Sequence, residues 1–334
     1  MRGWLYLAAM ALAASATTAV AAPPKPLFAS DEPIRITIKG PISTLASKRT
    51  GGAQPATLTS AGLTHPISLA PRGITRLRKE TCQFPPLRVE FTQPPPAGSL
   101  FQAQRRLKLV THCRNGADFQ QKVLLEYSAY RIYNLLTPQS FRARLAQIDY
   151  VDDGGKPTLS RIGFFLEEIE DVATRNDMRV AHMGPRVALG QIDPTGGARF
   201  AVFNYLISNY DWSMRAGPEG DECCHNGRLI TAGGPLIPVP YDFDFSGLVD
   251  APYAGPPEGV PIRTIRDRNY RGYCAHMTPA RAVAAQAAAR RGEILGVFGA
   301  IPGMDPRTSQ KAAAFVGGFF SDVASGKIFK TCVS

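Results

Sequence analysis

Six cysteines, Cys82, Cys113, Cys223, Cys224, Cys274 and Cys332, constrain this chain more tightly than any other feature. An even set of thiols in an exported chain reads as a set of cross-links. Export is the expectation from residues 1–21. Arg2 precedes an apolar run from Trp4 to about Ala16, and Ala19-Val20-Ala21 offers small residues for cleavage, the order of parts in a secretory signal peptide. The run is shorter than the ~20 residues of a membrane span, and Pro23-Pro24 would break a helix continuing through it. No later segment stays apolar for ~18 residues, so no membrane span is expected. The expected destination is exported, periplasmic or secreted, and there three disulfides are the expectation. Adjacent cysteines seldom bond each other, so Cys223 and Cys224 are each expected to reach a different distant partner. No C-x-x-C pair or Cys/His cluster has zinc spacing, which argues against metal ligation by these thiols.

With 334 residues and 44% hydrophobic residues, the chain can bury one large core or two modest ones. Losing Arg2 with the signal takes the formal net charge from +11 to +10. The 38 Lys and Arg are dispersed and form no basic run interleaved with aromatics, so nucleic acid is not an expected partner.

Residues 22–65 read as an N-terminal extension. It is proline-rich to Pro33, carries one alternating strand at Ile34 to Ile38, and becomes a small, polar loop from Gly51 to Thr64. Residues 66–170 read as β-rich, with strands at Pro66 to Leu69, Leu87 to Phe91, Arg105 to Thr111, Arg144 to Tyr150 and Ile162 to Glu168. Inserted among them is a helix from Phe119 to Leu136, whose apolar residues recur at three and four, with Asp118 placed as its N-cap. Residues 171–334 read as helix-rich. An apolar helix spans Arg199 to Ser208, a strand spans Leu236 to Phe245, and Ala-rich helices lie near Pro279 to Leu295 and Thr308 to Ala324. The order predicts an α+β chain with two lobes and a cleft near their junction.

Three clusters place charged residues beside apolar elements. Asp242 and Asp244 alternate with aromatics at the end of a strand, and alternation would put both carboxylates on one face. Two like charges that close need a cation, a shared proton or water, and a magnesium ion accepts one or two carboxylates plus substrate oxygens. Asn209-Tyr210-Asp211-Trp212 follows an apolar helix and is succeeded by His225-Asn226. Phosphoryl transfer uses such a set, an aspartate for the hydroxyl proton with an asparagine and a strand-end aspartate on the metal. Lys108 and Glu126 would complete it, the lysine on nucleotide phosphates and the glutamate orienting it. Taken singly, these residues also read as a helix cap, a solvated glutamate and a surface lysine.

The order of these segments resembles the CotH-type atypical kinases, a family named for a spore-coat protein, in divergent form. Arg72-Gly73-Ile74-Thr75-Arg76 is similar to the family's Arg-Gly-Asn-Ser-Ser-Arg segment, and Pro86-Leu87-Arg88-Val89-Glu90-Phe91 resembles its Pro-Tyr-Lys-Leu-Lys-Phe strand. Phe101 to Val110 is similar to the strand before its inserted helix, and Phe164 to Glu170 resembles its Tyr-Leu-Leu-x-Glu-x-x-Asp strand. Asn209 to Trp212, His225-Asn226 and Asp242-Phe243-Asp244 resemble its catalytic and metal motifs. The resemblance implies a bilobal protein-kinase-like fold, with a β-rich N-terminal lobe and a helix-rich C-terminal lobe. It implies transfer of the γ-phosphoryl of ATP to a protein hydroxyl with Mg2+ or Mn2+. Asp211 would act as base, with Lys108 and Glu126 assisting. Asp242, Asn226 and Asp244 would bind metal, and Arg72, Arg76, Arg88, Lys108, Glu167 and Glu168 are the candidate nucleotide contacts. Departures from the family pattern, among them Ile74-Thr75 and the longer loop carrying Cys223 and Cys224, keep two other readings open. One is an inactive kinase-fold binding or assembly protein of the cell envelope. The other is a carboxylate-dependent glycan hydrolase.

Overall fold

The alternating Ile34, Ile36 and Ile38 do form a strand, β1 (Ile34–Gly40), and its buried side begins a seven-stranded barrel. The structure, a computed structural model, describes residues 23–49, 52–154 and 157–334; the expected signal peptide lies outside them. After a short helix, α1 (Ile42–Lys48), β1 pairs antiparallel with β2 (Gln54–Ser60), which returns through Ala61-Gly62 into β3 (Leu63–Pro71). Both turn residues have positive φ, 47° and 80°, as the tight hairpin turn requires. β4 (Leu87–Phe91), β5 (Arg106–Val110), β7 (Pro157–Leu166) and β6 (Ala143–Asp152) follow in order, all antiparallel. β6 then meets β1 in parallel, Ile34 opposite Ala146, and the sheet closes. Gly163 of β7 allows the close approach of β5, because a Cβ there would lie 2.6 Å from the Val110 carbonyl oxygen.

A bilobal kinase-like fold is therefore not what this chain adopts. It forms a closed mixed barrel, accompanied by a small sheet and helices. Two physical facts produce the difference. The segment up to Thr64, expected as polar loop, forms β2 and the start of β3, which continues through the expected Pro66 to Leu69 strand, because Leu58, Ile67 and Leu69 supply the inward apolar positions that a threonine-rich strand needs. The hydrophobic core also does not divide near residue 170. One cluster runs continuously from Val110 and Phe164 on the outside of the barrel, through the inserted helix α2 (Ala117–Leu136), to Phe320 near the C-terminus. The barrel interior, with Ile36, Val89, Leu107 and Phe165, forms a separate cluster.

Beyond the barrel lie the short α3 (Ile169–Thr174), then α4 (Pro194–Leu206), capped by Asp193 and buried along its length, and a three-stranded sheet of β8 (Arg179–Val180), β9 (Gly227–Thr231) and β10 (Ile237–Pro240). Three closing helices follow, α5 (Met277–Ala289), α6 (Arg291–Ala300) and α7 (Pro306–Ala324). The α5–α6 break falls inside the single helix expected from the alanine pattern. Expected strand Leu236 to Phe245 ends at Pro240.

Disulfides join Cys82 to Cys113 and Cys274 to Cys332, cross-links of the kind that persist in oxidising compartments. Cys223 and Cys224 bond each other, correcting the expectation of distant partners; the other four cysteines pair among themselves. Among the described residues, no helix is long and apolar enough to cross a membrane.

His112, next to Cys113, is buried and stacked on Phe84 at 4.8 Å. Burial pushes its imidazole down to about 4, with Arg161 adding in the same direction. The unfolded chain takes up this proton near pH ~6.5 and the folded one does not, so the contribution is present above that value and is lost as pH falls toward about 4. His112→Phe keeps the stack and removes the proton site. Urea denaturation is expected to show a stability slope between pH 6.5 and 4 that is shallower in the variant, with about 3 kcal/mol at stake over the whole window. Equal slopes would remove His112 from the pH response.

Candidate active site

Asp211 reaches its position because α4 ends in a tight reversal. Ser208 takes a positive φ of 52°, Asn209 is buried with its amide donating to Asn204 Oδ1 at 2.9 Å, and the Trp212 indole N–H donates to the Asn209 carbonyl at 2.9 Å. These bonds fix the backbone on both sides of Asp211, whose side chain stays 37% exposed. His225 Nε2 lies 2.6 Å from Asp211 Oδ1, and Asn226 Nδ2 donates both to Asp211 Oδ2 at 2.9 Å and to the Asp211 carbonyl at 2.8 Å. The hydrogen bond to Asp211 raises the His225 pKa against the opposing effect of burial. The structure thus joins the Asn209–Trp212 and His225–Asn226 motifs. Asn226, expected on the metal, spends its amide N–H bonds on Asp211.

Asp242 and Asp244 lie beyond the end of β10, so strand alternation is not what aligns them. Asp242 takes a positive φ of 65° and its N–H donates to Tyr130 Oη at 2.9 Å. The intervening Phe243 is fully buried, its ring 4.6 Å from Tyr130 and 5.3 Å from Phe203. Anchored at that ring, the two carboxylates converge with Glu126 of α2 on one guanidinium. Arg76 lies 3.2 Å from Glu126, 2.5 Å from Asp242 and 3.3 Å from Asp244. Tyr253 Oη adds a bond to Asp244 Oδ2 at 2.9 Å.

Three carboxylates around one guanidinium leave an excess of negative charge. Burial pushes Glu126 up to about 8 and Asp244 up to about 7, against the pull of Arg76. For Asp242, burial acts upward too, but Arg76 and then Arg72 outweigh it and hold its carboxyl below the ordinary value. One oxygen from each carboxylate lies within 4.8 Å of the others, and Glu126 Oε1 is buried without a hydrogen-bond partner. An orphaned buried oxygen in such a group fits a divalent cation, which takes carboxylate oxygens.

Cations gather on the other side of Asp242. Lys108 projects from the outer face of β5, its Nζ 4.9 Å from the Tyr241 ring centre and 5.8 Å from that of Phe141. Burial lowers its pKa to about 8; Arg72 and Arg228 push the same way, while Glu168 and Asp242 oppose. Arg228 lies over Tyr241 from β9 at 5.0 Å. The expected Lys108–Glu126 pair does not form, because the Arg76 turn reaches the glutamate first. Glu168 pairs with Arg106 at 3.1 Å, and exposed Arg88, opposite Lys108 in register, lies 3.8 Å from Glu90. Glu167 stands apart. Both its oxygens are taken, by Arg175 at 3.0 and 3.1 Å and by the Arg142 N–H at 2.9 Å, so it braces the fold and has no oxygen left for a nucleotide.

Sequence reasoning passed over Tyr130, Tyr241, Tyr253 and Arg228. Only Tyr241 carried a signal, its place beside Asp242, since the others act through contacts that no local pattern marks. Neither any known protein family's sequence profile nor any curated protein sequence matches this chain, so the geometry of the site carries the functional argument.

Proposed function

We propose that this is an exported phosphotransferase, periplasmic or secreted, which moves the γ-phosphoryl group of ATP to a hydroxyl of a protein acceptor with Mg2+ or Mn2+. The observation that carries the reading is the charge layout. A carboxylate triad with an unpartnered buried oxygen lies beside Arg72, Lys108 and Arg228, and a half-exposed Asp211 is oriented by two side chains. Metal-bound polyphosphate needs acidic and basic groups side by side, and phosphoryl transfer is mostly positioning and charge stabilisation.

In this reading Glu126, Asp242 and Asp244 hold the metal. When bound, the ion neutralises charge on the phosphate oxygens. Lys108, Arg72 and Arg228 attract the polyphosphate, with the lysine desolvated against two rings so that its charge acts in a medium of low dielectric. The acceptor oxygen bonds to the γ-phosphorus, the bond to the β–γ bridging oxygen breaks, and the hydroxyl proton passes to an Asp211 oxygen. His225 and Asn226 keep that carboxylate in one orientation. A binding protein without turnover is the second reading, favoured by Arg76, which already occupies the centre of the carboxylates.

Asp242→Asn keeps the shape and removes the charge. Its metal-dependent ATP affinity is expected to fall at least about tenfold, or ~1.4 kcal/mol, with the melting temperature of the free protein little changed. Calorimetric titration with Mg·ATP measures it; equal affinities would sink the metal assignment.

A further inference from the structure

Arg76 is held in an unusual way for a buried cation. It comes from a three-residue 3-10 turn, Thr75–Leu77, that follows Gly73 at φ 96°, and it is the one buried residue between 72 and 80. Its neighbour Ile74 is 72% exposed, so no apolar anchor pins the turn to the core. The segment is tied by polar bonds instead: the Arg72 N–H to the Pro86 carbonyl at 2.9 Å, Arg49 Nη1 to the Leu77 carbonyl at 3.1 Å, and the Arg76 guanidinium to Glu126, Asp242 and Asp244. The guanidinium's hold is incomplete, since Glu126, 3% exposed, keeps Oε1 without a partner. Buried carboxyl oxygens left without a partner are costly.

We propose that Arg76 is an exchangeable counter-cation: it keeps the place of a divalent ion among Glu126, Asp242 and Asp244, and the ion enters as Arg76 leaves for the phosphate of the incoming ligand. The inference rests on the phosphotransferase reading of the site and adds its regulation. Both cations do not fit together, because the carboxylate oxygens that would bind the ion lie within 4.8 Å of one another and Arg76 already sits 2.5 Å from Asp242. The released guanidinium has a destination. Arg72, four residues before Arg76 in the same connection, acts electrostatically on Asp242, Lys108 and Tyr241, so this connection already borders the basic side of the site where a phosphate is drawn. Withdrawal costs three ion pairs and is offset when an anion receives the guanidinium and a divalent ion replaces it. Metal and phosphate therefore each strengthen the binding of the other, and by linkage the coupling is equal in both directions. Without phosphate, Arg76 competes with the metal for the carboxylates and weakens its binding.

The test is Mn2+ binding to the full chain, followed by electron paramagnetic resonance of the free ion, with and without inorganic phosphate. Wild type is expected to bind Mn2+ at least about fivefold more tightly with phosphate present, within the usual range of coupling between sites. Arg76→Gln, which removes the competing charge, is expected to bind Mn2+ at least about tenfold more tightly than wild type without phosphate, and to change less than about twofold on adding it. The wild-type measurement stands by itself if the variant fails to fold. Wild type that binds Mn2+ equally with and without phosphate, or a folded variant that binds no more tightly than wild type, overturns the exchange and leaves the metal site in place. Failure of both proteins to bind Mn2+ under any of these conditions overturns the metal assignment and the exchange together.

Discussion

Asp211→Ala is expected to lower phosphoryl transfer by roughly 100- to 10,000-fold, the range of a lost general base, while nucleotide affinity changes by less than about twofold. The two effects separate because Asp211 touches His225 and Asn226 and makes no contact with the carboxylates around Arg76. Its half-exposed side chain, held from two sides, has the freedom from burial and the fixed orientation that accepting a proton from an acceptor hydroxyl requires. A purely structural role would cost about 1 kcal/mol of stability, comparable to a lost cap, and leave turnover nearly unchanged. A radiolabelled ATP transfer assay with Mg2+ and with Mn2+, beside a melting curve for each protein, tells these apart. Transfer that persists in the variant removes Asp211 from the chemistry. Wild type that transfers to neither itself nor general acceptors moves the assignment to the binding protein without turnover.

Arg175→Leu is expected to destabilise the protein by about 3–5 kcal/mol, the cost of stranding a buried charge. Glu167, 1% exposed, relies on Arg175 for two of its hydrogen bonds, and Arg175 also donates to the Pro138 and Ser140 carbonyls across the start of β6. Replacing both partners by leucine is expected to recover much of the loss, since the penalty lies in the unpaired ion more than in the missing attraction. Urea denaturation of the single and double variants measures it. An Arg175→Leu loss below about 1 kcal/mol would show that solvent reaches Glu167 after all. Nucleotide affinity, where the double variant folds, should match wild type, because Glu167 has no oxygen free for a ligand.

Local patterns read well where one interaction dominates. The three- and four-residue recurrence of Val123, Leu124, Tyr127 and Tyr130 marks α2, because a helix packed on a barrel must turn one apolar stripe inward. The pairing of Asp242 with Asp244 and the Asp211–Asn226 set were visible as residue types. Reading failed where the deciding partner is remote. β2 and the start of β3, up to Thr64, look like polar loop because threonine, alanine and serine fill their outward positions, and only pairing with β1 and with each other makes strands of them; the Pro66 to Leu69 part of β3 reads as strand from its own sequence. The kinase-like layout failed for the same reason, since segment order says nothing about whether a sheet closes.

By itself, the sequence determined the short-range matters: which segments carry helical or alternating periodicity, which carboxylates lie near one another along the chain, and that the thiols pair off. Such properties depend on residues a few positions apart, which the chain holds together whatever its fold. Only the tertiary structure decided that Glu126 takes Arg76 instead of Lys108, that Asn226 serves Asp211, and that Glu167 braces the backbone. These contacts span 50, 15, and 8 and 25 residues respectively, beyond the reach of helical or strand periodicity. Arg76 and Asp242, 166 residues apart and 2.5 Å from each other, meet because the β3–β4 connection carries Arg76 to Glu126 of α2 and the buried Phe243 ring, packed on Tyr130 of the same helix, fixes the two aspartates there.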